Sequence, residues 1–177
     1  QESTGRDLSK VLKQFKDPKV QSTIHDPPNH PGGLRTASVE VSEQFLPGGK
    51  LVVYTKGRES KKDEWIAKGK DQMDDSPMII LINEGSASAS EIVAGALQDY
   101  GRAVIVGTTS FGKGSVQTIL PLGDGSGLRL ATAKYYTPKG RSIQSTGITP
   151  DIVVKLPAPT TVAKAGETKA GEKDGEA

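Results

Sequence analysis

The sequence predicts an α/β fold, a βαβ-containing mixed sheet with a β-hairpin arm. Residues 77–83 (PMIILIN) and 103–109 (AVIVGTT) are short, apolar and β-branched, the pattern of parallel strands covered on both faces. Between them Ile92, Val93, Ala96 and Leu97 recur at helical spacing. Strand, helix and strand at this separation make a βαβ unit, expected to cross over right-handed. The arm is read from residues 110–122, which carry a glycine turn into an extended run, and 128–137, which alternate; GDGSG joins them as a hairpin turn.

The remaining elements follow from periodicity and punctuation. Leu8, Val11, Leu12 and Phe15 have helical spacing, Thr4 can cap the start, and Asp17-Pro18 stops the helix. Residues 19–33 (KVQSTIHDPPNHPGG) are expected to lack regular structure, because Pro27, Pro28 and Pro31 break the stretch around the apolar anchors Val20 and Ile24. A second helix is predicted over 34–46, with Leu34, Ala37, Val41, Phe45 and Leu46 inward and Pro47-Gly48-Gly49 at its end. Residues 50–56 read as a strand, 57–76 as a charged surface excursion holding Trp65, and 147–156 as a last short strand. Beyond Leu156 the composition falls to Pro, Ala, Thr, Gly, Lys and Glu. A folded unit is therefore expected over 1–156 and a disordered tail over 157–177.

Composition narrows the function. The 177 residues carry 23 basic and 21 acidic side chains, a net charge of +2, with no basic stripe to suggest a nucleic-acid surface. No apolar run reaches the roughly 18 residues that a membrane helix needs. The lack of cysteine removes thiol catalysis, disulfides and cysteine-ligated metal sites together.

Ser86, Ser88 and Ser90 alternate with alanine at the mouth of the predicted helix. One reading makes them helix caps, and Ser88 with Glu91 has the spacing of a capping box. The other makes one of them a nucleophile. Backbone N–H groups at a helix start are unsatisfied and can hold the oxyanion of a tetrahedral acyl intermediate, while small neighbours admit a substrate backbone. A nucleophilic serine needs a base. The only histidines, His25 and His30, lie in the Pro-rich segment without a supporting pattern. The other solution is a lysine kept neutral by apolar burial and helix-end dipoles. Lys113, between Gly112 and Gly114, follows the second buried strand at the sheet edge where Ser88 also lies, the edge at which open α/β sheets bind ligands. If residues 113–117 are extended, Lys113, Ser115 and Gln117 share one face, and Gln117 can hold the amine without adding charge. FGKG also suits a plain surface turn with an exposed lysine, and it lacks the Walker pattern of a phosphate loop.

GSASASEIVAGALQD followed by FGKGSVQ, and then LRLATAKYYTPKGRSIQSTGITPDI, resembles the C-terminal processing peptidases, or tail-specific proteases. The resemblance runs from about Thr4 to Leu156 and implies a core of the ClpP/crotonase-like type. It implies a serine endopeptidase with Ser88 as nucleophile, Lys113 as general base and Gln117 supporting the lysine. The oxyanion donors it implies are the amides of Ala89 and of Gly33 in the Pro31-Gly32-Gly33 turn. It implies no metal and no cofactor, protein or peptide substrates bound in extended form and cut near their C-termini, and a place in the bacterial periplasm or cell envelope, with the chloroplast thylakoid lumen as the alternative. A homo-oligomer stays open. Members usually carry a DLRxNPGG-like segment after an apolar strand, where this chain has STIHDPPNHPGG, and a PDZ domain before the core, of which nothing is visible here. An inactive protease core and a peptide-binding module without hydrolysis are the rival readings.

Overall fold

The computed structural model describes residues 3–15, 20–58, 62–69 and 76–155; the tail expected over 157–177 lies outside them. The elements run α1 (Thr4–Gln14), β1 (Thr23–His25), α2 (Arg35–Ser42), β2 (Leu51–Gly57), β3 (Asp63–Ile66), β4 (Met78–Ile82), α3 (Ala89–Asp99), β5 (Val104–Gly107), β6 (Ser115–Pro121), β7 (Gly127–Tyr136) and β8 (Ile152–Val153). The mixed sheet resolves into two. One is parallel, in the order β1-β4-β5-β8; the other is antiparallel, in the order β3-β2-β7-β6. The expected βαβ unit is β4-α3-β5, whose strands pair in parallel from Ile79 with Val104 to Ile82 with Gly107.

The core forms where these layers meet. Leu12 of α1, Phe45 and Leu46 after α2, Val52 and Val53 of β2, Ile92 and Leu97 of α3, Ile105 of β5, and Ile143 and Ile148 of the loop before β8 make one fully buried cluster. On β4 the side chains alternate: Met78, Ile80 and Ile82 are buried, while Ile79 and Leu81 are half-buried, so one face is better covered than a doubly buried strand requires. The hairpin is as read, with β6 and β7 paired from Ser115–Lys134 to Pro121–Gly127. Its outer part stands away from the core and leaves Ile119, Leu120, Leu128 and Leu130 exposed.

Four local readings change. The stretch 19–33 contains a strand after all: β1 pairs in parallel with β4 from Thr23–Met78 to His25–Ile80. The prolines begin two residues past its end, so they terminate the strand without interrupting it. The second helix stops at Ser42 and is eight residues long, starting at Arg35. Leu34 is its extended N-cap and is half exposed, and the turns after Glu43 let the consecutive Phe45 and Leu46 both enter the core, which a continuing helix would have pointed about 100° apart. In α1 it is Ser3 that occupies the cap position, Leu12 is buried, and Val11 and Phe15 remain partly exposed. The charged excursion contains β3, which pairs with β2; Trp65 stands opposite Val53, and the Arg35 guanidinium lies 4.0 Å from its ring centroid. That cation–π contact ties β3 to the start of α2.

His25 ends β1 with its ring edge-on to Phe45, centroids 5.1 Å apart, and its Nε2 is buried without a partner. Burial first, and the charge of Arg102 second, hold this imidazole below its ordinary pKa. The unfolded chain therefore takes up a proton that the folded chain refuses as pH falls through about 6.5, and the His25 contribution to stability is complete above that pH and lost below it. The denaturation midpoint is expected to fall between about pH 7 and about pH 5, and His25→Gln, neutral throughout, to flatten this acid limb; equal slopes for the two proteins in denaturant titrations would refute the assignment.

Candidate active site

The three serines do three different things. Ser86 is fully buried: its Oγ accepts the Asn83 N–H at 3.2 Å and lies 3.2 Å from the Pro27 carbonyl oxygen, which stitches the β4–α3 turn to the segment after β1. Asn83 continues the seam, its Oδ1 accepting the N–H of Asn29 at 2.8 Å and of Gly85 at 3.0 Å. Ser90 lies on the opposite flank, its Oγ 2.9 Å from His30 Nδ1 and 3.2 Å from the His30 carbonyl oxygen. Ser88, between them, caps α3 with φ +56 and ψ −112. A side chain other than glycine in that region is strained, and such strain is held in place only where the surroundings over-determine it. A sharp strand-to-helix turn with a strained serine at its apex is the geometry that lifts a hydroxyl clear of its own backbone.

The Pro31-Gly32-Gly33 turn is pressed onto this apex. Gly32 has φ +88, and a Cβ on it would stand 2.5 Å from the Ala87 carbonyl oxygen, 2.7 Å from the Ala89 nitrogen and 2.9 Å from Ser88 Cβ. Only glycine fits. The Gly32 N–H is donated to His30 Nδ1 at 3.2 Å. Among the described residues the N–H groups of Ala89, the first residue of α3, and of Gly33 have no acceptor.

Glu91 joins this turn to the FGKG loop. Its side chain is buried, 1% exposed, and both oxygens act only as acceptors. Oε2 takes the backbone N–H of Ser88 at 2.7 Å and of Lys113 at 2.9 Å; Oε1 takes the N–H of Gly112 at 2.7 Å and the Ser110 hydroxyl at 2.6 Å. Ser110 Oγ in turn accepts the Ile148 N–H at 2.7 Å. Gln144 Oε1 accepts the Gly114 N–H at 3.0 Å, and the Gly112 carbonyl oxygen accepts the Ser145 N–H at 2.8 Å. FGKG is thus a braced loop whose backbone is bonded from both sides.

The structure brings the backbones of Ser88, Ala89, Gly33 and Lys113 together. It does not bring the side chains of the predicted dyad together: the Lys113 side chain is exposed and its amine donates no hydrogen bond to Ser88. Gln117 stands opposite Ala131 on the hairpin, past a bulge at Val116, with its side chain exposed. The two histidines are both spoken for, His25 against Phe45 and His30 against Gly32 and Ser90.

Comparison with known proteins decides the family. The family model for peptidase family S41 matches residues 1–154. The chain belongs to peptidase family S41. This S41 chain is 53% identical to a carboxy-terminal-processing protease of Bartonella bacilliformis over 89% of its own length and 37% of that protein. It is 40% identical to a carboxyl-terminal-processing protease of Synechocystis over 86% of its length and 35% of that protein. The solved photosystem II D1 C-terminal processing protease superposes with a TM-score of 0.83 at 34% identity, covering 88% of this chain and 40% of that one. The chain therefore spans little more than a third of the relatives it matches.

In the S41 chain the serine turn also forms one wall of a cavity of about 310 Å³, which Ala89 and Gly33 both line. Ala37, Val41, Phe45, Ile80 and Val93 line its depth, so it is largely apolar. The residue that sequence reasoning undervalued is Glu91, read there only as half of a capping box. The box exists, but its acidic member also holds the second motif, and nothing in the spacing reveals that. Ser110 and Gln144 were not singled out at all; they carry no motif and matter only because the loop before β8 folds back on FGKG.

Glu91→Gln keeps the size of the side chain but turns an amide NH₂ toward buried donors. It is expected to cost about 2–4 kcal/mol of stability, since leaving buried donors unsatisfied costs about 1–3 kcal/mol each. Chemical denaturation of the two proteins measures this, and equal stabilities would show that the carboxylate is not the tie described.

Proposed function

We propose that the chain carries the catalytic centre of a serine endopeptidase that cuts protein substrates near their C-termini through a Ser88–Lys113 dyad. The observation that carries the reading is the single carboxylate oxygen of Glu91, which holds the amides of both residues while Ser88 sits strained beside two N–H groups without acceptors. Lys113 Nζ, as the free amine, takes the proton from Ser88 Oγ as that oxygen attacks the scissile carbonyl. The amides of Ala89 and Gly33 stabilise the oxyanion. The ammonium then gives its proton to the leaving amine, and the resulting acyl-enzyme is hydrolysed by water that Lys113 deprotonates. Gln117 steadies the amine. Because the backbone amides already share one oxygen, the four-carbon stem of the lysine has only to turn inward to reach the hydroxyl.

The apolar cavity beside Ala89 and Gly33 suits the substrate side chain that precedes the scissile bond. The names of the relatives support C-terminal processing as the substrate class, and the bacterial and chloroplastic members among them support an exported, periplasmic or lumenal place of work. The exposed lysine favours one rival, a core that binds extended peptide without cutting it.

Ser88→Ala and Lys113→Ala are each expected to lower hydrolysis of an apolar peptide by at least about 1,000-fold with the fold intact. Ser88 of the wild type should also be labelled by a serine-reactive phosphonate, and labelling should be lost in Ser88→Ala. Peptide binding that survives both substitutions, with no labelling and no cleavage by the wild type, would establish the binding module instead.

Ala37→Phe fills the cavity from α2. It is expected to shift the preferred residue before the scissile bond from large apolar to small, changing the ratio of kcat/KM values for leucine and alanine peptides by roughly 10-fold or more. A ratio that does not move places the side-chain pocket elsewhere.

A further inference from the structure

We propose that His30 is a positioning residue whose imidazole occupies the Gly32 amide, so that the Gly33 amide is the one presented to the developing oxyanion. Its catalytic consequence rests on the peptidase reading above; the clamp itself rests on geometry.

His30 grips the nucleophile turn on both sides of Ser88. Its carbonyl oxygen accepts the Ala87 N–H at 3.1 Å, one residue before Ser88. Its Nδ1 lies 2.9 Å from the hydroxyl of Ser90, two residues after. The same Nδ1 accepts the Gly32 N–H at 3.2 Å. An imidazole nitrogen accepts a backbone N–H only when it bears no proton, so the ring is held with its proton on Nε2. The Ser90 hydroxyl, also within 3.2 Å of the His30 carbonyl oxygen, can give its one proton to either acceptor and so holds the residue by its ring or by its backbone.

The turn needs such a device because two consecutive glycines are the most permissive backbone a chain can offer. Gly32 is already at φ +88, hard against Ala87 and Ala89. Rotation of the peptide planes there would exchange which amide faces Ser88. An oxyanion donor contributes fully only if it is aimed before the charge develops. Occupying the Gly32 N–H leaves Gly33, among the described residues, as the partnerless amide beside Ala89, and the two line the same cavity.

The test compares wild type, His30→Ala, His30→Asn and Ser90→Ala in the full chain, each with two readouts: hydrolysis of a peptide with leucine before the scissile bond, and hydrogen exchange at the Gly32 amide. The Asn Oδ1 can stand where Nδ1 stands and accept the same N–H. His30→Ala is expected to lower kcat by roughly 10- to 100-fold with KM within about threefold, because the donor acts on the transition state more than on bound substrate. His30→Asn should return to within about fivefold of wild type, and Ser90→Ala should fall between it and His30→Ala. Gly32 should be protected in the wild type and in His30→Asn and lose protection in His30→Ala. An unchanged kcat in His30→Ala, failure of Asn to rescue, or Gly32 protection indifferent to residue 30 each overturns the proposal. A wild type that hydrolyses nothing while Gly32 protection still follows residue 30 overturns the peptidase reading and leaves the clamp standing without its catalytic role.

Discussion

One buried carboxylate holds the site in register. Glu91 accepts hydrogen bonds from the amides of Ser88, Gly112 and Lys113 and from the hydroxyl of Ser110. The Phe111 N–H, donated to the Ser86 carbonyl oxygen at 2.9 Å, is a second bond between the strand-to-helix turn and the FGKG loop, but Glu91 is the group that holds Ser88 and Lys113 themselves. The two segments belong to different connections of the fold, one leaving β4 and one leaving β5, and the carboxylate ties them at four donors where their backbones meet directly only at Ser86 and Phe111. Charge-assisted bonds to a carboxylate are roughly twice as strong as neutral ones, and burial deepens them. The same burial makes the arrangement all-or-none: an acid with four donors is stable only when all four arrive, so the tie forms with the fold and not before it.

The alternation of serine and alanine follows from that tie and from the close approach of the glycine turn. Ser86 faces inward to the segment after β1, Ser90 faces His30, and Ser88 is left at the apex with positive φ. Residue 32 must be glycine because it lies against the backbone of residues 87 and 89, and both alanines are buried. The strain at Ser88 is borne by neighbours bonded on either flank. Ala87 donates its N–H to His30 on one side, and Ser88 donates its own to Glu91 on the other. A linker of the same composition would satisfy none of these conditions, which is why small residues and hydroxyls here mark a built turn.

How much of this was legible in the sequence depended on whether a feature was local. The βαβ unit was readable because β4, α3 and β5 are contiguous and each shows its own period. The hairpin was readable because its turn chemistry sits between its strands. The strand β1 was hidden, since three residues beside two prolines show no pattern, and it exists only because β4 offers an edge to pair with. The premature end of α2 was hidden for a related reason: Phe45 and Leu46 both seek the core, and tertiary burial outweighed a helical period that ran on past Ser42. In the site, the motifs named Ser88 and Lys113, but the partners that fix them, Glu91 across to FGKG and Gln144 from the loop before β8, are contacts between distant segments. Spacing could propose the capping box and could say nothing of its second use. His30 was weighed as a base because a histidine near a serine invites that reading; its ring instead accepts a backbone amide, a role no residue type announces.

The contrast between the Lys113 backbone and its side chain bears on how such a site can be controlled. The amide is fixed, bonded to Glu91 and flanked by the bonded amides of Gly112 and Gly114. The residue as a whole is exposed. A lysine acts as a base only in its neutral form, and enclosure among apolar neighbours favours that form. On the proposed reading, the change that brings the amine to Ser88 is a rotation of the Lys113 side chain about a backbone that Glu91 already holds. An extended peptide laid across Ser88 would itself displace water from the lysine. On the proposed peptidase reading, the scaffold supplies a rigid nucleophile and oxyanion turn, and the substrate supplies the dryness that would turn a surface lysine into a base.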